Sequence, residues 1–222
     1  MRVGLYGGSF NPVHLGHVGI AKRAITELGL DKLIVIPANV SPFKTATGTE
    51  ASRFLTWDRV EMVKAAFRDV EKTTVDLREI ERGGVSYAID TVREVHAELL
   101  ASISTSTSDL NLFFIIGEDS VEGLPRWKDI EELKKLVTFK AYPRTPESST
   151  AIRELFENAG VVLNQDEKLV KAVREGLVRK GGYCPCRLPK LPEFFCPCDE
   201  FKAQLADPTY HGLCHCRLYL KP

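Results

Sequence analysis

Val3-Gly-Leu-Tyr6 runs directly into Gly7-Gly-Ser-Phe-Asn-Pro-Val-His-Leu-Gly-His17, and helical periodicity begins immediately afterwards at Val18. A short apolar strand that ends in glycines lets the backbone approach an anion closely. The helix behind it supplies free N–H groups and the positive end of a dipole. This stretch therefore predicts a strand–turn–helix phosphate cradle. His14 and His17 stand three residues apart at the start of the helix, so both imidazoles can face one bound polyphosphate and donate to oxygens that gain charge during transfer.

The pattern repeats outward from the cradle. Leu33–Ile36, Thr73–Leu77, Leu112–Ile116 and Val137–Tyr142 read as strands, and helical periodicity fills Val18–Leu28, Thr56–Phe67, Tyr87–Leu100, Ile130–Leu136 and Thr150–Asn158. Strand and helix taking turns means βαβ units, whose right-handed crossovers build an α/β, doubly wound parallel sheet with ligands at the carboxyl ends of its strands. The run Ser102–Asp109 reads as a polar loop, and no internal repeat is present.

Composition narrows the function classes. Thirty basic residues balance thirty acidic ones, which argues against a nucleic-acid partner, and 44% hydrophobic with 27% charged residues suits a globular protein. The N-terminus is too polar and glycine-rich for a signal peptide, and no apolar run approaches the roughly 20 residues that cross a bilayer. No membrane partner and a cytoplasmic location are the expectations. All six cysteines lie between Cys184 and Cys216, so the composition changes as at a domain boundary, and the expected division is 1–163 and 164–222.

Gly-Gly-Ser-Phe-Asn-Pro-Val-His-Leu-Gly-His resembles the signature of the nucleotidyltransferase superfamily with the histidine–x–glycine–histidine motif, and within it the bacterial nicotinate-nucleotide adenylyltransferases. Ile36-Pro-Ala-Asn-Val-Ser-Pro-Phe-Lys44, Arg59-Val-Glu-Met62, Glu81-Arg-Gly-Gly-Val-Ser-Tyr-Ala-Ile-Asp-Thr91, Phe114-Ile-Ile-Gly-Glu-Asp119, Leu124-Pro-Arg-Trp127 and Ser148-Ser-Thr-Ala-Ile-Arg153 follow in the same order. The resemblance implies transfer of AMP from ATP, with Mg²⁺, to nicotinate mononucleotide on the route to NAD. By motif position it places His14, His17, Gly7, Gly8, Ser9 and Phe10 around the ATP phosphates, joined by Ser148, Ser149, Thr150 and Arg153. Gly117 and Asp119 fall at the adenosine ribose, Lys44 near the acceptor phosphate, and Thr91 and Trp127 at the nicotinate ring. Trp127 reads equally well as core, and Arg59 and Tyr87 read as scaffold. Where the family has a loop-and-strand segment before the Ser-Ser-Thr helix, this chain has only Thr145-Pro-Glu147 between Arg144 and Ser148. Such a shortening bears on adenine and nicotinate selectivity. Phosphopantetheine and cytidylyl chemistry are the alternative acceptor chemistries.

The tail carries Cys184-Pro-Cys186, Cys196-Pro-Cys198 and Cys214-His-Cys216. Structural zinc sites usually show Cys-x-x-Cys knuckles and need four ligands, so zinc is the weaker fit. Four thiolates for a [4Fe–4S] cluster and two for a redox-active disulfide account for all six. Order and residue types resemble the catalytic chain of ferredoxin:thioredoxin reductase. That resemblance makes Cys184, Cys196, Cys198 and Cys214 cluster ligands, pairs Cys186 with Cys216, and sets His215 beside the disulfide as proton donor and acceptor. Ferredoxin and a thioredoxin-like disulfide protein are the implied partners, and ten basic against seven acidic residues from Asn164 onward suit an acidic one. The combined expectation is an adenylyltransferase fused to a small, mostly helical iron–sulfur disulfide reductase. Its rival is a redox protein whose shortened nucleotidyltransferase part only binds or senses nucleotide.

Overall fold

The computed structural model describes residues 1–45, 56–102, 110–143 and 145–222; Arg144 and most of the polar run expected as a loop, residues 103–109, lie outside the described residues. Strands β1 (Arg2–Gly8), β2 (Lys32–Pro37), β3 (Thr73–Val75), β4 (Asn111–Gly117) and β5 (Thr138–Tyr142) form one sheet in the order β3-β2-β1-β4-β5. Every pairing is parallel. The strand order reverses beside β1, which puts the cradle at the switch point where such sheets bind ligands.

The two faces of the sheet follow from the two-residue period of a strand. Leu33, Val35, Phe113 and Ile115 point to one face, where they meet α1 (Leu15–Glu27) and α3 (Thr56–Phe67) through Ala21, Ala24, Val63 and Phe67. Their sequence neighbours Ile34, Ile36, Leu112, Phe114 and Ile116 point to the other, against Ile89, Val92 and Val95 of α5 (Ala88–Ser102) and Leu133 of α6 (Ile130–Leu136). Gly4 stands where a Cβ would lie 2.6 Å from Leu30 Cδ1 and 2.9 Å from Leu33 Cδ1, so a side chain there would displace the core. Two short helices lie between β2 and α5: α2 (Pro42–Thr45) and α4 (Arg78–Arg82).

After β5 the chain turns directly into α7 (Ser149–Asn158), then β6 (Val162–Leu163), α8 (Glu167–Arg179), α9 (Asp199–Ala206), β7 (Gly212–Leu213) and β8 (Tyr219–Lys221). The last three strands form an antiparallel sheet in the order β6-β8-β7, a feature that helical periodicity alone did not predict. A second core gathers Ile152, Phe156 and Val161 with Val170, Phe201, Leu218 and five of the cysteines. Residues upstream of 164 thus belong to the packing of the cysteine-rich segment. Arg68 ties the segment to the first core by donating from Nη1 to the Val178 carbonyl and from Nη2 to the Arg179 carbonyl, both at 2.8 Å, and Lys190 pairs with Asp69 at 3.1 Å. Among the described residues, no helix is long and apolar enough to cross a membrane.

Candidate active site

The cradle loop leaves β1 through a left-handed residue, Phe10 at φ 43°, a conformation that is strained for a side chain with a Cβ and persists only where surroundings enforce it. Phe10 is 2% exposed and packs edge-on against Tyr6, His17 and Phe67 at 5.4, 5.0 and 6.0 Å between ring centroids. Its buried ring therefore anchors the turn while its backbone stays at the mouth of the site. Arg59, 6% exposed, donates from Nη1 to the Ser9 carbonyl at 2.8 Å and also bonds the Ala38 and Asn39 carbonyls. It fastens the loop to the end of β2, the scaffold role expected of it.

The histidines are in contact. Their ring centroids are 3.8 Å apart, and the His14 backbone N–H donates to His17 Nδ1 at 3.2 Å. Because Nδ1 accepts, a neutral His17 carries its proton on Nε2 and can present it to an anion. Gly16 between them allows Thr145 to cross, since a Cβ there would lie 2.0 Å from Thr145 Oγ1.

The opposite wall is the start of α7. Ser148 caps it by accepting from the Ala151 N–H at 3.3 Å. Ser149 Oγ donates to the Pro12 carbonyl at 2.9 Å, Arg153 Nη1 donates to the Asn11 carbonyl at 2.6 Å, and Arg153 Nη2 donates to Thr150 Oγ1 at 3.0 Å. Cradle and helix start are thereby clamped together around a cavity of about 320 Å³ that also reaches Gly117 and Asp119. Thr145 and Glu147 line it too, so the three-residue connection itself closes this side of the site.

A second cavity, of about 420 Å³, shares Gly7, Gly8, Ser9, Gly117 and Ser120 with the first. The two cavities therefore meet over the cradle. Trp127 lines the second one while packing against Phe114 and Phe139 at 5.7 and 6.0 Å, which makes it both core and pocket wall. Arg126 and Lys128 add two cations, Lys128 lying over the Tyr87 ring at 4.7 Å. Thr91 is 1% exposed and does not line the cavity; its hydroxyl donates to Glu79 Oε1 at 2.6 Å, and Glu79 lines the cavity instead. Burial pushes the Glu79 carboxyl up, against hydrogen bonds from Thr91 and Ser86 that favour its ionised form. Nothing in the residue pattern near Arg78-Glu-Ile80 distinguishes Glu79 from a surface helix residue. The side chain of Lys44 lies outside what is described.

The cysteines also meet. Cys184, Cys196, Cys198, Cys214 and Cys216 are buried and Cys186 is exposed, all six as free thiols. A bridge between Tyr183 and Phe195 brings the first two pairs side by side, and the Tyr219 N–H donates to Cys214 Sγ at 3.3 Å. Cys214 Sγ and Cys216 Sγ are 3.6 Å apart. Hydrogen bonding from the Cys216 thiol lowers the pKa of Cys184 and of Cys214, whereas burial raises those of Cys196 and Cys198. The four expected ligands Cys184, Cys196, Cys198 and Cys214 share one buried cluster with Cys216. Among the described residues, no three His, Cys, Asp or Glu side chains are placed to hold a metal ion. Cys214 and Cys216 lie within sulfur hydrogen-bond distance of each other, and the cluster expected on these thiols is not shown. His215 is exposed.

Known proteins resemble this chain over the transferase part. The cytidylyltransferase-like family matches residues 5–173 and stops before the first cysteine. A "Probable nicotinate-nucleotide adenylyltransferase" of Shouchella clausii (strain KSM-K16) is 38% identical over 170 residues, covering 77% of this chain and 82% of its own. A protein of the same name from Listeria monocytogenes serotype 4a (strain HCC23) is 34% identical over 192 residues, covering 78% of this chain and 95% of its own. A solved structure from Vibrio parahaemolyticus with the same enzyme name shares the fold at TM-score 0.53 and 17% identity, over 71% of this chain and 87% of its own.

Proposed function

Because the chain belongs to the nicotinate-nucleotide adenylyltransferase family of cytidylyltransferase-like proteins, we propose that it transfers AMP from ATP to nicotinate mononucleotide and releases pyrophosphate. The observation that carries this reading is the meeting of the two cavities over Gly7, Gly8 and Ser9. A phosphate oxygen of the acceptor in one cavity can attack the α-phosphorus of ATP in the other. As that bond forms, the bond to the bridging oxygen breaks and its electron pair leaves with pyrophosphate. The chain supplies no covalent intermediate, so its contribution is alignment and charge neutralisation. His14, His17, the amides of Ser9 and Phe10, and the helix start Ser149–Arg153 hold the phosphates, and Asp119 accepts from ribose hydroxyls.

Mg²⁺ would be held mainly by substrate phosphates and water, with one or two carboxylates, and would supply further charge neutralisation; Asp119 and Glu147 are the carboxylates that line this cavity. In the acceptor cavity the Trp127 ring stacks on a planar pyridine, and Arg126 and Lys128 favour an anionic substrate. The test is release of pyrophosphate from ATP and Mg²⁺ with nicotinate mononucleotide, the amide mononucleotide, or phosphopantetheine. Preference for the acid supports the reading, and equal rates with acid and amide, or reaction with phosphopantetheine alone, overturn it.

For the cysteine-rich segment we propose thiol–disulfide chemistry. Its support is the buried cluster of Cys184, Cys196, Cys198, Cys214 and Cys216, in which the Cys214 and Cys216 sulfurs lie 3.6 Å apart, with Cys186 exposed. Two thiols here would close to one disulfide while a partner protein's disulfide takes up the two electrons and two protons. Reduction of an insulin disulfide by the prereduced chain supports this. Iron and sulfide in stoichiometric amounts after anaerobic purification would replace it with the cluster reading.

A further inference from the structure

Helix α7 belongs to both halves of the molecule. Its first turn is the phosphate wall, with Ser149 bonded to the Pro12 carbonyl and Arg153 to the Asn11 carbonyl. Its buried face, Ile152 and Phe156, lies in the core that contains the cysteines. Phe156 meets the Tyr219 ring edge-on at 5.1 Å and the Phe201 ring at 5.8 Å, and Tyr219 stacks on Phe201 at 5.9 Å with 8° between planes. Tyr219 is in turn fixed to a cysteine from both sides of its backbone: its N–H donates to Cys214 Sγ at 3.3 Å, and its carbonyl accepts from the Cys214 N–H at 2.9 Å. Packed interiors transmit such displacements because they contain few voids to absorb them.

We propose that Tyr219 and Phe156 are positioning residues for the ATP phosphate site, so that the bonding of the Cys214 sulfur is read at Ser149 and Arg153. The inference rests on the adenylyltransferase reading of that site and goes beyond it, because it makes the cysteine-rich segment a determinant of nucleotide affinity. A change at Cys214 that shifts β8 moves the three-ring cluster, and the cluster sets the pitch of α7 against the cradle. Affinity for ATP then changes while the acceptor cavity, which no residue of α7 lines, does not.

The experiment measures binding of ATP with Mg²⁺ to the full chain by titration calorimetry without acceptor, and then the KM for each substrate. Tyr219→Ala and Cys214→Ala are expected to weaken ATP binding about 5- to 10-fold, within the usual range of coupling between sites. Tyr219→Phe, which keeps the ring, and Leu188→Ala, on the exposed face of the same segment, are expected to bind as wild type does. In turnover the KM for ATP should rise while the KM for nicotinate mononucleotide stays constant; loss of folded protein alone would lower kcat and leave both constants unchanged. Cooperative melting with unaltered ATP affinity in Tyr219→Ala overturns the inference. Should Tyr219→Ala not fold, Phe156→Leu decides the matter by the same two readings. A wild-type chain that does not bind ATP refutes the adenylyltransferase reading itself.

Discussion

His17 Nδ1 accepts a hydrogen bond from the backbone N–H of His14 at 3.2 Å, so the neutral His17 ring, which lines the phosphate cavity, carries its proton on Nε2. A neutral imidazole oriented in this way is a donor to oxygens on which charge develops. His17→Ala is therefore expected to lower kcat by roughly 10²-fold with a modest change in the KM for ATP, and His14→Ala to do so less severely. Steady-state kinetics at saturating acceptor checks this, and wild-type turnover in both variants would remove the histidines from the mechanism.

Gly16 and Thr145 occupy one space. A methyl group at position 16 would sit 2.0 Å from Thr145 Oγ1 and 2.9 Å from His14 Nδ1. Gly16→Ala is expected to push the connection between β5 and α7 outward and weaken ATP binding at least 10-fold. Gly16→Ala combined with Thr145→Gly should recover much of the loss, a non-additivity diagnostic of direct contact. Additive losses in the four-member cycle would show that the two residues do not compete.

Arg59 is buried and bonds three backbone carbonyls, those of Ser9, Ala38 and Asn39. Removing a charged donor from several acceptors costs the bonds and leaves carbonyls unsatisfied. Arg59→Ala should lower the unfolding free energy by about 3 kcal/mol. Arg59→Lys keeps the charge but has no planar fork to span the carbonyls, so it should recover only part of this. A shift in urea midpoint no larger than that of an ordinary surface substitution would contradict the scaffold role.

Burial raises the Glu79 pKa, so the folded chain holds that proton more tightly than the unfolded chain does. The sign follows from linkage: stability falls as pH rises from the ordinary glutamate value, about 4.3, through the raised folded value. Glu79→Gln removes this titration. The stability of the variant relative to wild type is therefore expected to improve between pH 4 and pH 7 in urea unfolding. A constant difference over that range would place Glu79 outside the set of buried titrating groups.

The alternation of strand and helix and the cradle were legible in the residues because both are local. A strand has a two-residue period and a helix a 3.6-residue one, and a phosphate turn needs glycines and a helix start within a dozen positions. Val3–Tyr6, Leu33–Ile36 and Leu112–Ile116 accordingly lie within strands, and the histidines face one cavity. Other features depend on which distant segments meet. Thr91 sits in a motif, yet its hydroxyl is used on Glu79, twelve residues away and silent in sequence. The short antiparallel sheet joins Leu163 to Tyr219, strands too brief to carry a periodic signal. Sequence order likewise showed six cysteines close along the chain, but thiol contacts depend on side-chain directions fixed by the packing of Phe156, Phe201 and Tyr219. The same packing places α7 in two cores at once. Its amphipathic pattern marked a buried face without saying which of two hydrophobic interiors would bury it, because apolar burial is non-directional and only the closed tertiary structure selects the partner.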